Sequence, residues 1–181
     1  MKKFELTNEF ITNMFGTKLF RIRALVEFGD VEAGELGGYV EKESNLGHDD
    51  NAWVYDNAWV YGDAQVSGDA LVYDNARVYG NARVYGNARV YDNAQVSGDA
   101  RVCGDARVCG NGDYAYAHGF GSVNRTTTFF RLKDGGVGVR CGCFYGTLAQ
   151  FRDKIRETHG ETKKAQEYLM LADLMKLRFE K

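Results

Sequence analysis

A chain of 181 residues with 44% hydrophobic and 27% charged side chains has the make-up of an ordinary globular protein. Its formal net charge of −2 argues against bulk DNA binding, and no run is long and apolar enough to cross a bilayer. Four cysteines outside any secreted-scaffold spacing, and a Met-Lys-Lys start with no apolar core after it, point to a cytoplasmic protein with free thiols.

Residues 1–51 read as a cap, with 6 basic against 10 acidic side chains. Residues 20–26 alternate as a strand should. Residues 34–38, with three glycines, predict a bend. Val40 followed by Ser44 imitates one six-residue unit. Leu46 would be the next rung, but it stands eight residues before Val54, so the register shifts there. Residues 47–50 are expected to protrude as a loop.

Residues 52–111 are a repeat. Ten valines fall six apart from Val54 to Val108, and each is followed four positions later by a small residue. The corners are mostly Gly followed by Asn or Asp, but Asp56, Asp74 and Asp92 take the glycine place at intervals of 18. Three units per turn of a triangular coil explain that interval. Gly, Asn and Asp tolerate the left-handed backbone of such corners. Valine and the small residue point inward, and coils stacking at about 4.8 Å make a prism about 16 Å tall.

The same interval sorts the outward side chains into columns. Trp53, Leu71, Arg89 and Arg107 share one, beside Tyr55, Tyr73, Tyr91 and Cys109. Trp59 and Arg77 lie with Tyr61 and Tyr79, and Arg83 and Arg101 lie with Tyr85. Aromatic rings beside guanidiniums suit either a subunit interface or an anionic ligand carrying a flat ring. Trp53, Tyr55, Trp59, Tyr61, Leu71, Tyr73 and Tyr91 are the interface candidates. Arg77, Arg83, Arg89, Tyr79 and Tyr85 are the ligand candidates.

Residues 112–181 form a different domain, with 12 basic and 8 acidic side chains. Residues 119–125 hold glycines next to Arg125, with Arg131 and Arg140 close by, a loop of the kind that cradles phosphate. Residues 126–132 and 137–143 predict a hairpin about 134–136, where Lys133 and Asp134 face solvent. Cys141 and Cys143 would then share the core face of Val137 and Val139. The spacing of the four cysteines is not a usual zinc pattern, and neither metal nor cofactor is expected. Thr147 caps a predicted helix ending near Gly160, with Leu148, Phe151 and Ile155 on one face. A second, from Thr162 to Phe179, presents Ala165, Leu169, Ala172 and Met175. The result is a mainly β protein with an α+β C-terminal cap.

The six-residue pattern resembles the left-handed parallel β-helix of hexapeptide-repeat proteins. The flanks, Leu36-Gly-Gly-Tyr-Val-Glu41, Asn45-Leu46, Ala52-Trp-Val54, Cys141-Gly-Cys-Phe144 and His159-Gly160, resemble a family of bacteriophage and prophage proteins that join such a prism to this C-terminal module. That resemblance implies a phage-related setting and leaves the chemistry open. Many β-helix proteins of this kind are acyltransferases with a histidine base between subunits. Here His48, His118 and His159 all lie outside the repeats, and His118 is the one candidate base. The expectation is therefore a non-enzymatic homotrimer that binds a small anionic, nucleotide-like ligand through its Arg/aromatic faces with His118, Arg125 and Arg131, sequestering a signal of host defence. The alternatives are a structural trimer that engages a host protein, and an acyltransferase using His118.

Overall fold

A computed structural model describes residues 2–180. Strands β1 (Phe4–Thr12), β2 (Lys18–Ala24) and β3 (Leu36–Val40) form an antiparallel N-terminal sheet. Ten two-residue strands follow, β4 to β13: Trp53–Val54, Trp59–Val60, Gln65–Val66, Leu71–Val72, Arg77–Val78, Arg83–Val84, Arg89–Val90, Gln95–Val96, Arg101–Val102 and Arg107–Val108. They stack in parallel at the 18-residue interval into three columns, the faces of a β-solenoid. Every one of the ten valines is buried, as are the nine alanines from Ala58 to Ala106 at the fifth position. Valine fills the prism while alanine lets the corner close over it, so the six-residue pattern and the core coincide.

Corner residues Asp56, Asp74 and Asp92 and six corner glycines from Gly62 to Gly104 all have positive φ, between 53° and 70°. The first partial turn lies inside the N-terminal segment. Val40 pairs with Val60, and Leu46 bridges to Val66, both 20 residues on rather than 18. Two residues inserted after Leu46 account for the difference. Residues 47–50 do not protrude as expected. His48 stacks on Phe4 at 4.5 Å, and its Nδ1 accepts the Lys3 amide at 3.1 Å. Lys3 Nζ donates to the carbonyls of Asp50 and Ala52, at 3.1 and 2.8 Å.

The predicted bend at 34–38 is met only at its start, where the chain turns at Ala33–Gly34 with Gly34 at φ +90°, while Leu36–Val40 is a strand joining the N-terminal sheet to the solenoid face that begins with β5. A methyl group on Gly37 would sit 2.5 Å from the Val54 carbonyl oxygen and 2.8 Å from the Trp53 ring. Gly37 and Gly38 allow close approach rather than a turn.

Each rung donates its amides upward, as Arg83 does to the Ala100 carbonyl at 2.9 Å. The last rung has none above it, and an open edge of this kind invites other strands. Side chains of the C-terminal domain close it. The amides of Gln95, Ser97, Arg101 and Cys109 donate to Asn111 Oδ1, Tyr114 Oη, Thr128 Oγ1 and Asp113 Oδ2 at 2.9 to 3.3 Å.

That domain holds four strands, where a two-stranded hairpin was expected. They are β14 (Tyr114–Phe120), β15 (Arg125–Arg131), β16 (Val137–Cys141) and β17 (Phe144–Thr147), in antiparallel order. Phe130 enters the solenoid core, while Phe129 and Val139 face two helices. Thr147 and Gln150 form a reciprocal cap on α1 (Leu148–His159), and Thr162 caps α2 (Lys163–Phe179). Phe151 and Ile155 of α1 and Ala165, Tyr168, Ala172, Met175 and Phe179 of α2 complete the second core. Neither helix is long and apolar enough to cross a membrane. Of the two cysteines expected on the core face, Cys141 packs against the second core and Cys143 does not. β16 ends at half-buried Cys141, whose Sγ accepts the Thr127 hydroxyl at 3.2 Å, and the turn at Gly142, φ +58°, leaves Cys143 exposed.

Candidate functional site

The third solenoid face carries Gln65, Arg83 and Arg101 in one column and Ser67, Tyr85 and Cys103 in the next. The fixed register sets Arg83 and Arg101 on successive rungs, about 4.8 Å apart along the stack. Docking of the C-terminal sheet raises a wall opposite them. Because the Arg101 amide is tied to Thr128, and Thr128 pairs with Arg140 across the β15–β16 ladder, Arg140 is brought over the face. His118 of β14 and Arg125 and Thr126 of β15 line the same wall, with His118 Nδ1 and Thr126 Oγ1 2.9 Å apart.

Floor and wall border an open cleft of two adjoining chambers. The larger, about 530 Å³, is lined by Asn81, Arg83, Asp99, Arg101, His118 and Arg125 among others. The smaller, about 260 Å³, is lined by Gln65, Ser67, Arg83, Tyr85, Arg101 and Arg140. Arg83 and Arg101 belong to both. Four arginines therefore face a single carboxylate, Asp99, whose Oδ1 accepts from Asn81 Nδ2 at 3.1 Å. Among the described residues none of the four forms a salt bridge. Arg140 lies 6.0 Å from the Tyr85 ring centroid, and its Nε is buried without a hydrogen-bond partner. Burial, helped by the neighbouring Cys103, pushes the Tyr85 hydroxyl up to about 12, so it stays protonated and able to donate at neutral pH. Burial likewise raises the Cys103 thiol, which lies under the wall rather than on the surface.

Arg83, Tyr85, His118 and Arg125 are thus brought together, as the sequence could only group in part. Arg77 lies over Trp59 at 4.2 Å, and Tyr79 stacks on Tyr61 at 5.1 Å, both on another face. Arg89 stands on the remaining one, between Leu71 and Arg107. Arg131 fastens the end of α2 to the sheet, donating to the Phe179 carbonyl at 3.0 Å. Two amides of the glycine loop at 119–125 are engaged, Gly121 with Glu167 and Ser122 with the Tyr168 hydroxyl, so a carboxylate already stands at the Gly121 amide. Arg101 and Arg140 are not among the ligand candidates of the sequence, although both are named there, Arg101 in the Arg83 column and Arg140 close to the glycine loop. The period aligns Arg101 with Arg83, whereas only proximity along the chain to the glycine loop pointed to Arg140.

Among the interface candidates, Trp53 is fully buried against Phe4 and Phe28 of its own chain and forms no outer surface. Tyr55 and Leu71 pack half-buried on the core. Trp59 and Tyr61 occupy one face, and Tyr73, stacked on Tyr91 at 5.0 Å, another.

The YdcK Beta solenoid repeat family model matches the chain over residues 64–80, 72–84, 76–92, 82–98 and 94–110. These spans fall within the solenoid and take in Arg83, Tyr85 and Arg101, but not the wall. They cover about a quarter of the chain and show its repeat architecture, a β-solenoid of about four turns. No curated protein matches the chain.

Proposed function

We propose that this protein is a non-enzymatic binding protein that holds a small anionic ligand in the cleft between the third solenoid face and the C-terminal wall, and does so as a homotrimer. One observation carries the binding reading: among the described residues, four arginines without salt-bridge partners converge on one concave site with a single carboxylate. Guanidiniums left unpaired around a cleft suit phosphate or carboxylate oxygens, which they bind in forked pairs. His118 supplies a further hydrogen bond; as a general base for acyl transfer its partner would be the Thr126 hydroxyl. The captured anion would be a signal of host defence, held rather than transformed, a reading that rests on the resemblance of the flanking motifs to bacteriophage and prophage proteins. Assembly is supported by the aromatic stacks Tyr73–Tyr91 and Tyr61–Tyr79 on the other two faces, residue types enriched at subunit contacts.

Native mass spectrometry of protein purified from a bacterial host tests both parts. The expected result is a trimer with an anionic mass adduct that disappears in an Arg83→Ala, Arg101→Ala variant. A monomer would remove the assembly. A trimer with the same mass as its denatured chains would move the reading to a structural module that engages a host protein.

A further inference from the structure

The cleft has two chambers rather than one, and the arginines are shared between them in a particular way. Arg83 and Arg101 stand at the divide, Arg125 belongs to the larger chamber alone, and Arg140 to the smaller alone. Asp99, which offsets one positive charge, lines only the larger chamber. The smaller chamber holds three arginines, no carboxylate, and the hydroxyls of Ser67 and Tyr85. A phosphate monoester carries a charge of about −1.5 to −2, less than the net positive charge of this lining. A second phosphoryl group on the same ligand removes the excess.

Resting on the anion-binding reading, we propose that the ligand carries two linked phosphoryl groups. The terminal one sits in the small chamber, clasped by Arg140 with Arg83 and Arg101. The inner one sits at the divide near Arg125, and the organic body lies in the larger chamber. Asn81, Asp99, His118 and Thr126 there offer donors and acceptors to hydroxyls or ring nitrogens. The larger chamber falls within the range of ordinary small-molecule sites. The small one, at half that volume, suits a compact group such as a phosphoryl. Arg140 is held at the small chamber by donation from Nη1 to the Cys143 carbonyl at 3.5 Å and by its place 6.0 Å from the Tyr85 ring centroid.

Calorimetric titration with inorganic phosphate, pyrophosphate, AMP and ADP tests the assignment. Charge-assisted contacts to a second phosphoryl group should make pyrophosphate and ADP bind roughly tenfold or more tightly than phosphate and AMP. Arg140→Ala should reduce that advantage to about twofold or less, by weakening pyrophosphate and ADP several-fold more than phosphate and AMP. Arg140→Lys, which keeps the charge and loses the fork, should restore part of it. Far-UV circular dichroism melts confirm that both variants are folded. Equal affinity for mono- and diphosphates in the wild type, or an equal loss of both in Arg140→Ala, would overturn the two-phosphoryl assignment and leave the anion site standing. No heat with any of the four compounds would overturn both.

Discussion

Lys3 anchors the foot of the solenoid by donating to two carbonyls of the inserted loop, and it is only 3% exposed. Burial lowers its pKa to about 8, against the opposing pull of Asp50, Asp49 and Asp69. In the unfolded chain a lysine keeps its proton up to about 10.4. Between those values the unfolded state binds more protons, so stability rises with pH across that window. Above pH 10 the tyrosines work in the opposite sense, since burial raises Tyr55, Tyr61, Tyr73 and Tyr85 and the folded state then holds the extra protons. Burial of Cys103 already opposes the Lys3 effect from about pH 9, so that effect is read between about pH 8 and 10 as a difference from a variant that keeps the thiols and tyrosines. We expect the melting temperature of wild type, measured against Lys3→Met, to climb over that interval. A difference that stays level would mean that Lys3 does not titrate there.

At the scale of the element, one corner column replaces glycine with aspartate. Asp56, Asp74 and Asp92 adopt φ of 53° to 58°, a region that disfavours side chains. What offsets the strain is a ladder. The Asp74 amide donates to Asp56 Oδ2 at 3.4 Å, and the Asp92 amide to Asp74 Oδ2 at 3.1 Å. Asp74→Ala loses the acceptor and keeps the strain, and should cost about 1–3 kcal/mol in urea unfolding. Asp74→Gly loses the acceptor but relaxes the backbone, so it should cost less, and Asp74→Asn, which keeps both properties, least of the three. Equal losses for Ala and Gly would show that the hydrogen bond outweighs the conformation. These aspartates also show why the solenoid was legible in the sequence: core, corner and column all repeat along one dimension, so counting residues recovers them. The flanks are not written that way. Gly37 and Gly38 read as a bend because glycine marks both turns and close contacts, and only the neighbouring Trp53 and Ala58 decide which. Arg83 and Arg101 could be aligned by counting. His118, Arg125 and Arg140 join them only because a separately paired sheet docks on the last rung.

Across the whole molecule that docking serves two ends at once, since the sheet that closes the open edge of the prism also walls the cleft. A ligand in the cleft touches floor and wall together and favours the docked arrangement over any in which the sheet lifts away. Ligand binding should therefore stabilise two parts of the chain rather than one. With ADP as the probe at about 100 times its dissociation constant, the folded state gains about 2.7 kcal/mol. For a chain of this length each kcal/mol raises the melting temperature by about 2–4 °C. Where that gain appears is the informative part. If the ligand bridges, hydrogen exchange should slow in the rungs around Arg83 and Arg101 and, in step, in β15 and β16, whose Thr128 and Arg140 face them. Slowing confined to the rungs would mean that the anion rests on the solenoid face alone. The wall would then be a lid on the prism and no part of the site.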